Sequence, residues 1–153
     1  MKNIVLIILL TFFSCSLYQD NDEPNIFFQF SDFEILKLGK SFSDMIISDV
    51  QSAIYLSDYN NNSLLKINTQ NSLLVEQHTI VGSHPIALDI NSDESIIAIA
   101  HEGESSILIL NSQDLEILNS FSVSLMNMND LAFINDTTLI ISSKTDPSCI
   151  TLN

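Results

Sequence analysis

Short apolar runs, broken by clusters of Asn, Asp, Ser and Gly, fill the chain from residue 39 onward. Runs of this kind between turn formers predict β-strands rather than helices. Residues 82–124 show the pattern in full. The strands expected there are Ala87–Ile90, Ser95–Ala100, Ile107–Leu110 and Glu116–Val123. The turns between them read Asn91-Ser92-Asp93-Glu94, His101-Glu102-Gly103-Glu104 and Asn111-Ser112-Gln113-Asp114. Such residues tolerate turn backbone or bond to it through their side chains. The second and third strands are nearly all apolar, as in sheets covered on both faces.

The pattern recurs at a step of 43 residues. Asn68–Asn71 (NTQN) falls on Asn111–Asp114 (NSQD), and Leu38–Phe42 (LGKSF) on Val81–Pro85 (VGSHP). Ser48–Asp58 falls on Asn91–His101, and Ile90–Ala100 on Phe133–Ser143. Read this way the register needs no gap, and the repeats are 39–81, 82–124 and 125–153, the last incomplete. Four antiparallel strands per unit, stacked face to face at a period near 40–50 residues, predict an all-β fold of β-propeller blades. Two repeats are full and most of a third is present. Closure takes about 4–8 blades, so the arc is expected to be the N-terminal part of a longer protein. The final CITLN, Cys149–Asn153, then stands in the third strand of a blade. A short chain that closes by oligomerising is a second reading. Another small all-β fold, such as a sandwich, is a third, and the ungapped step argues against it.

The second repeat resembles the YVTN-type β-propeller repeat. Val81, Gly82 and Pro85 match its opening, and Asp93 stands at the Asp of its Pro-Asp-Gly turn, with Glu94 replacing the Gly. The signature tetrad falls on Tyr55-Leu56-Ser57-Asp58, Ala98-Ile99-Ala100-His101 and Ile141-Ser142-Ser143-Lys144. Asn68 and Asn111 replace the Asp that closes the third strand. The likeness covers about residues 39–153. Residues 31–38 (SDFEILKL) align with Leu74–Val81, the last strand of a blade. Propellers often close by giving an N-terminal strand to the last blade, and 31–38 resemble that closing strand.

The first residues have a different pattern. Lys2 precedes an apolar run, Ile4–Phe13, too short for the roughly 20 residues of a membrane span and suited to a secretory signal. Ser14 and Cys15 follow. This resembles a lipoprotein signal, residues 1–14, cleaved before a lipidated Cys15. Phe12 and Phe13 depart from the usual motif, and FFSCS is similar to signals of the Bacteroidetes group. Residues 15–25 are polar and acidic and read as a flexible tether. Several acyl chains would hold the protein to a membrane firmly, where one chain alone is marginal. The expected location is the cell envelope, on the periplasmic side or at the cell surface.

Composition narrows the partners. The 153 residues carry 5 basic against 19 acidic side chains and a net charge of −14. Nothing neutralises phosphates, so nucleic acid is not an expected partner. Acidity on this scale reads first as solubility and self-repulsion. Two isolated cysteines make neither a disulfide framework nor a metal site.

Candidate chemistry is sparse. His84, in the loop entering the second repeat, and His101, in the loop after its second strand, would open onto one face of a propeller. A His pair there could hold a metal or relay a proton. The equivalent positions carry Ser41 and Asn127 for His84, and Asp58 and Lys144 for His101, so no ring of like ligands forms. His84, His101, Asp58 and Lys144 are therefore candidates for a ligand-binding face only. Asp58-Tyr59-Asn60-Asn61-Asn62 spaces oxygen groups like a calcium loop but lacks its closing Glu and its Gly, which favours an Asn-rich hairpin. Asp146-Pro147 reads as a turn, and Cys149 aligns with Ser106 and Ser63 at the start of a third strand. No catalytic residue, cofactor or metal site is indicated.

The expected function is that of a lipid-anchored extracytoplasmic propeller, a binding or scaffold module for a protein, glycan or matrix component. The alternative is a propeller enzyme of lactonase or quinoprotein-dehydrogenase type with its site mostly in missing blades. A gene remnant without function is the third reading. Oligomerisation is expected only if the chain is complete.

Overall fold

The computed structural model describes residues 38, 40–70, 75–102, 104–147 and 149–152. The expected signal, Cys15, the tether and all of 31–38 but Leu38 lie outside them. Among the described residues eleven strands follow one another: β1 (Phe42–Ser48), β2 (Ala53–Asp58), β3 (Ser63–Asn68), β4 (Val75–Ile80), β5 (Pro85–Ile90), β6 (Ile96–His101), β7 (Ser106–Asn111), β8 (Ile117–Ser122), β9 (Met128–Asn135), β10 (Thr138–Ser143) and β11 (Cys149–Leu152). They form three antiparallel meanders: β1-β2-β3-β4, β5-β6-β7-β8 and β9-β10-β11. The four strands read in residues 82–124 appear within two residues of their expected starts.

Period-2 alternation explains how each sheet is covered on both faces. In β6, Ile97 and Ile99 point to the first sheet, where they join Ala53, Tyr55, Leu64, Leu88, Leu108 and Leu110. Ala98 and Ala100 point the other way, to Ile107, Met128, Leu131, Leu139 and Ile141. A strand with two cores can carry no polar face, which is why its sequence is apolar throughout. A smaller cluster, Leu56, Leu65 and Ile67, lies on the remaining face of the first sheet, with Leu38, Phe42 and Ile54 against it.

The pairing corrects the register of the third repeat. Leu88 pairs with Ile99. Leu131, 43 residues after Leu88, pairs with Ile141, only 42 after Ile99. The β9–β10 turn is one residue shorter than the β5–β6 turn, so the repeat does contain a gap. A shift of one residue exchanges the two faces of a strand. Leu139 and Ile141 are therefore the buried pair, at 2% and 0% exposure, in the places of Ile97 and Ile99. The tetrad of the third repeat becomes Ile140–Ser143. Cys149 opposes Ser142 as Ile107 opposes Ala100, so its counterpart is Ile107, not Ser106. Cys149 is exposed.

Carboxylates tie the sheets together. Asp44 in β1 accepts from the Leu88 N–H in β5 at 2.7 Å. Asp89 in β5 accepts from the Phe133 N–H in β9 at 2.6 Å. These donors stand on the first strand of each sheet, at an edge that no ladder pairs in the described residues. Glu94 accepts from the Ser48 hydroxyl at 2.6 Å and the Val50 N–H at 2.8 Å. Asp136 takes the corresponding position one sheet on and accepts from the Ser92 hydroxyl. Part of the acidity read as plain solubility thus serves to join sheet to sheet.

Candidate functional site

One end of the three sheets gathers all four candidate residues. It is the end where β2, β6 and β10 finish and β1, β5 and β9 begin, since Asp58 pairs with Phe42, His101 with Pro85 and Ser143 with Met128. The loops reaching it are those sequence reasoning placed together.

Asp58 is buried, and its carboxylate is fully used. Lys40 Nζ lies 3.0 Å from one oxygen. The Asn61 side chain donates to both oxygens at 2.9 and 2.8 Å, and the Asn61 N–H to one of them at 3.2 Å. Burial alone would push the Asp58 carboxyl up, but the bonds from Lys40 and Asn61 outweigh it and hold the group below its ordinary value. The segment is a hairpin turn closed by its own Asp, as its Asn content suggests.

His101 does not lie in a loop. It is the last residue of β6 and is 2% exposed. Its Nδ1 lies 3.3 Å from the Ser106 carbonyl, which places the proton on Nδ1 in the neutral ring. Nε2 is buried and finds no hydrogen-bond partner among the described residues. The ring lies against Gly82, whose φ is +113°, and a Cβ there would stand 3.1 Å from Nε2. Glycine is required at 82 both for its backbone and to admit the imidazole.

His84, half-buried at φ 52°, packs its ring on Tyr59 with centroids 4.5 Å apart. The Tyr59 hydroxyl donates to Glu102 at 2.5 Å. Lys144 Nζ lies 3.1 Å from the other Glu102 oxygen. With the corrected register, Tyr59, Glu102 and Lys144 hold the same position in three successive sheets, and the backbone repeats accordingly: Glu102 N–H donates to His84 O at 3.0 Å and Lys144 N–H to Asn127 O at 2.9 Å. The Tyr59 bond, then Lys144, hold Glu102 below the usual carboxylate range, while Glu102 raises the Tyr59 hydroxyl. Lys144 is thus the counterpart of Tyr59 and Glu102, not of His101. Tyr59 and Glu102 were not singled out by sequence because the ungapped register set them out of line with Lys144.

The end surface therefore has a fixed floor, Asp58 and His101, and a partly exposed row, His84–Tyr59–Glu102–Lys144. Its chemistry is that of aromatic and charged contact with a ligand. Among the described residues no three or more His, Cys, Asp or Glu side chains are grouped so as to hold a metal ion.

No protein-family model matches the chain, and no curated protein matches it. Solved structures do. Hydrazine synthase of Kuenenia stuttgartiensis aligns at a TM-score of 0.62 with 12% identity, over 74% of this chain and 33% of that one. Virginiamycin B lyase of Staphylococcus aureus aligns at 0.60 with 14% identity, over 79% and 41%. A β-propeller domain, Cps50 of Myceliophteria thermophila, aligns at 0.58 with 7% identity, over 74% and 38%. The chain spans between 33% and 41% of the length of these structures. Identities this low speak for the fold alone: this chain is built of β-propeller blades, in sheets that do not close into a ring among the described residues.

Proposed function

We propose that the chain is part of a lipid-anchored β-propeller, with blades of YVTN type, that binds a protein or glycan outside the cytoplasm. The observation that carries the binding reading is the row His84–Tyr59–Glu102–Lys144, in which three sheets set like-placed side chains along one end. Loops held by a rigid scaffold are common places for recognition, and aromatic and cationic side chains make strong contacts when desolvated. The same fold serves unrelated activities, so the site and not the fold supports the reading. The anchor rests on the sequence of residues 1–15.

A photo-crosslinking residue placed at Tyr59 or Lys144 on intact cells should give a discrete adduct. The same residue at Asp93, in the β5–β6 turn at the opposite end, should not. Adducts indistinguishable between the ends, or none from Tyr59 and Lys144, would remove the end surface as the binding site. For the anchor, Cys15→Ser should move the protein from the membrane fraction to the soluble one. Retention in the membrane would rule out lipidation at Cys15.

A further inference from the structure

The row at the candidate end alternates groups that donate with groups that accept. Glu102 takes the Tyr59 hydroxyl at 2.5 Å on one oxygen and Lys144 Nζ at 3.1 Å on the other. A carboxylate has lone pairs beyond these two bonds, and an ammonium has three donors, so both groups keep capacity for a ligand. Their side chains are 33% and 47% exposed. Tyr59 gives its proton to Glu102, and its oxygen can still accept.

His84 adds a ring that its backbone does not require. Its φ is 52°, and that of Asn127, at the same place before the third sheet, is 51°. Each gives its carbonyl to the N–H that follows the second strand of its sheet, Glu102 for His84 and Lys144 for Asn127. Asn is among the residues that tolerate this conformation best, so Asn127 shows what the loop alone needs. The His84 imidazole instead packs on Tyr59, with centroids 4.5 Å apart and planes tilted by 32°. Its Nδ1 meets the Ser83 hydroxyl at 3.1 Å, and the other ring nitrogen can donate or accept.

We propose that this row takes a neutral oligosaccharide, with His84 as a residue that sets its specificity. The inference rests on the end surface being the binding site, and it names the ligand's chemistry. A sugar hydroxyl both donates and accepts. Neighbouring hydroxyls of one sugar ring stand about a hydrogen-bond length apart. Glu102 and Lys144 are set at the same spacing, 3.1 Å, so two such hydroxyls satisfy carboxylate and ammonium together. The C–H face of the sugar covers Tyr59 and His84, rings with an apolar body and a polar edge. Charged ligands fit less well. The charges of Glu102 and Lys144 cancel, and a basic group would have to displace Lys144 to pair with Glu102. An acidic group would meet Glu102, the exposed Glu104 and Asp146 of the same loops, and a chain of net charge −14. Sheets stacked about 10 Å apart make a row across three of them longer than one sugar ring.

The probes are neutral hexasaccharides of α-linked glucose, β-linked glucose, mannose and xylose, titrated into the full chain by calorimetry. At least one should half-saturate it below about 1 mM, a weak but measurable affinity. Raising salt from about 0.05 M to about 0.5 M should change that affinity less than about threefold, because an uncharged ligand has no charge to screen. His84→Asn, which keeps the loop's backbone, and Lys144→Ala should each weaken binding at least about fivefold, the loss of one hydrogen bond or its equivalent in contact. Asp93→Asn, at the opposite end, should leave it unchanged. Four results would each overturn the proposal: no half-saturation by about 1 mM with any of these sugars, a larger salt effect, a smaller loss in either variant, or an equal loss in Asp93→Asn. Crosslinking from Tyr59 and Lys144 separates this failure from that of the binding surface. Adducts there that are polypeptide would keep the surface and overturn the sugar, whereas no adduct would remove the surface itself.

Discussion

Asp58 shows how a residue with a ligand's chemistry can be committed to the fold. Its oxygens accept from Lys40 and Asn61, and its folded pKa lies below the ordinary value. A carboxyl depressed in the folded state adds stability above its unfolded pKa, about 3.9, and that stability is lost as pH falls through the lower folded value. Asp58→Asn should therefore lower the melting temperature at pH 7, and the gap to the parent should narrow as pH falls below about 4. Thermal unfolding followed by circular dichroism at stepped pH checks this, and a constant gap would mean the ion pair contributes nothing. Tyr55 makes a comparable point for a neutral bond. Its buried hydroxyl donates to Ser112 O at 2.6 Å across the first interface. Tyr55→Phe should cost about 1–3 kcal/mol in denaturant unfolding, because the buried carbonyl loses a donor.

At the scale of the element, strand positions were legible and one strand's facing was not. Turn-forming clusters and apolar runs placed the strands of the second sheet closely. In the third sheet, the one-residue shortening of the β9–β10 turn reversed β10, because a strand's faces alternate with period 2. Ile140 and Ile141 look alike in sequence, so only the pairing separates them. Ile141→Ala should cost about 2–5 kcal/mol, as for other buried aliphatic truncations. Ile140→Ala should cost clearly less, since Ile140 is only half-buried on the sheet's other face. Equal losses in urea unfolding would restore the ungapped register. The same shift moved Cys149 from a Ser106-like to an Ile107-like place and brought Lys144 into line with Tyr59 and Glu102.

For the molecule as a whole, the sheets are joined by apolar side chains from alternating faces, by carboxylates that accept from the neighbouring sheet, and by Tyr55 and Lys66, which donate to carbonyls of the next sheet. Asp44, Asp89, Glu94 and Asp136 fill the second role. Glu94 is held below its usual range by the Ser48 hydroxyl and then the Val50 N–H. Glu94→Gln should therefore lower the melting temperature at pH 7, and the gap to the parent should narrow as pH falls below the ordinary glutamate value of about 4.3 and through the lower folded one. By itself, the sequence determined the strand order, the all-β blade architecture and the end of the sheets at which Asp58, His84, His101 and Lys144 meet. Those follow from local rules, since apolar period and turn chemistry act over a few residues and repeat with the chain. Only the tertiary structure decided which face of β10 is buried, that His101 sits under Gly82, and that Tyr59, Glu102 and Lys144 form one row. The row depends on contacts between sheets some 43 residues apart in sequence, the facing of β10 on the pairing that follows a turn one residue shorter, and the seat of His101 on a glycine in the loop before β5.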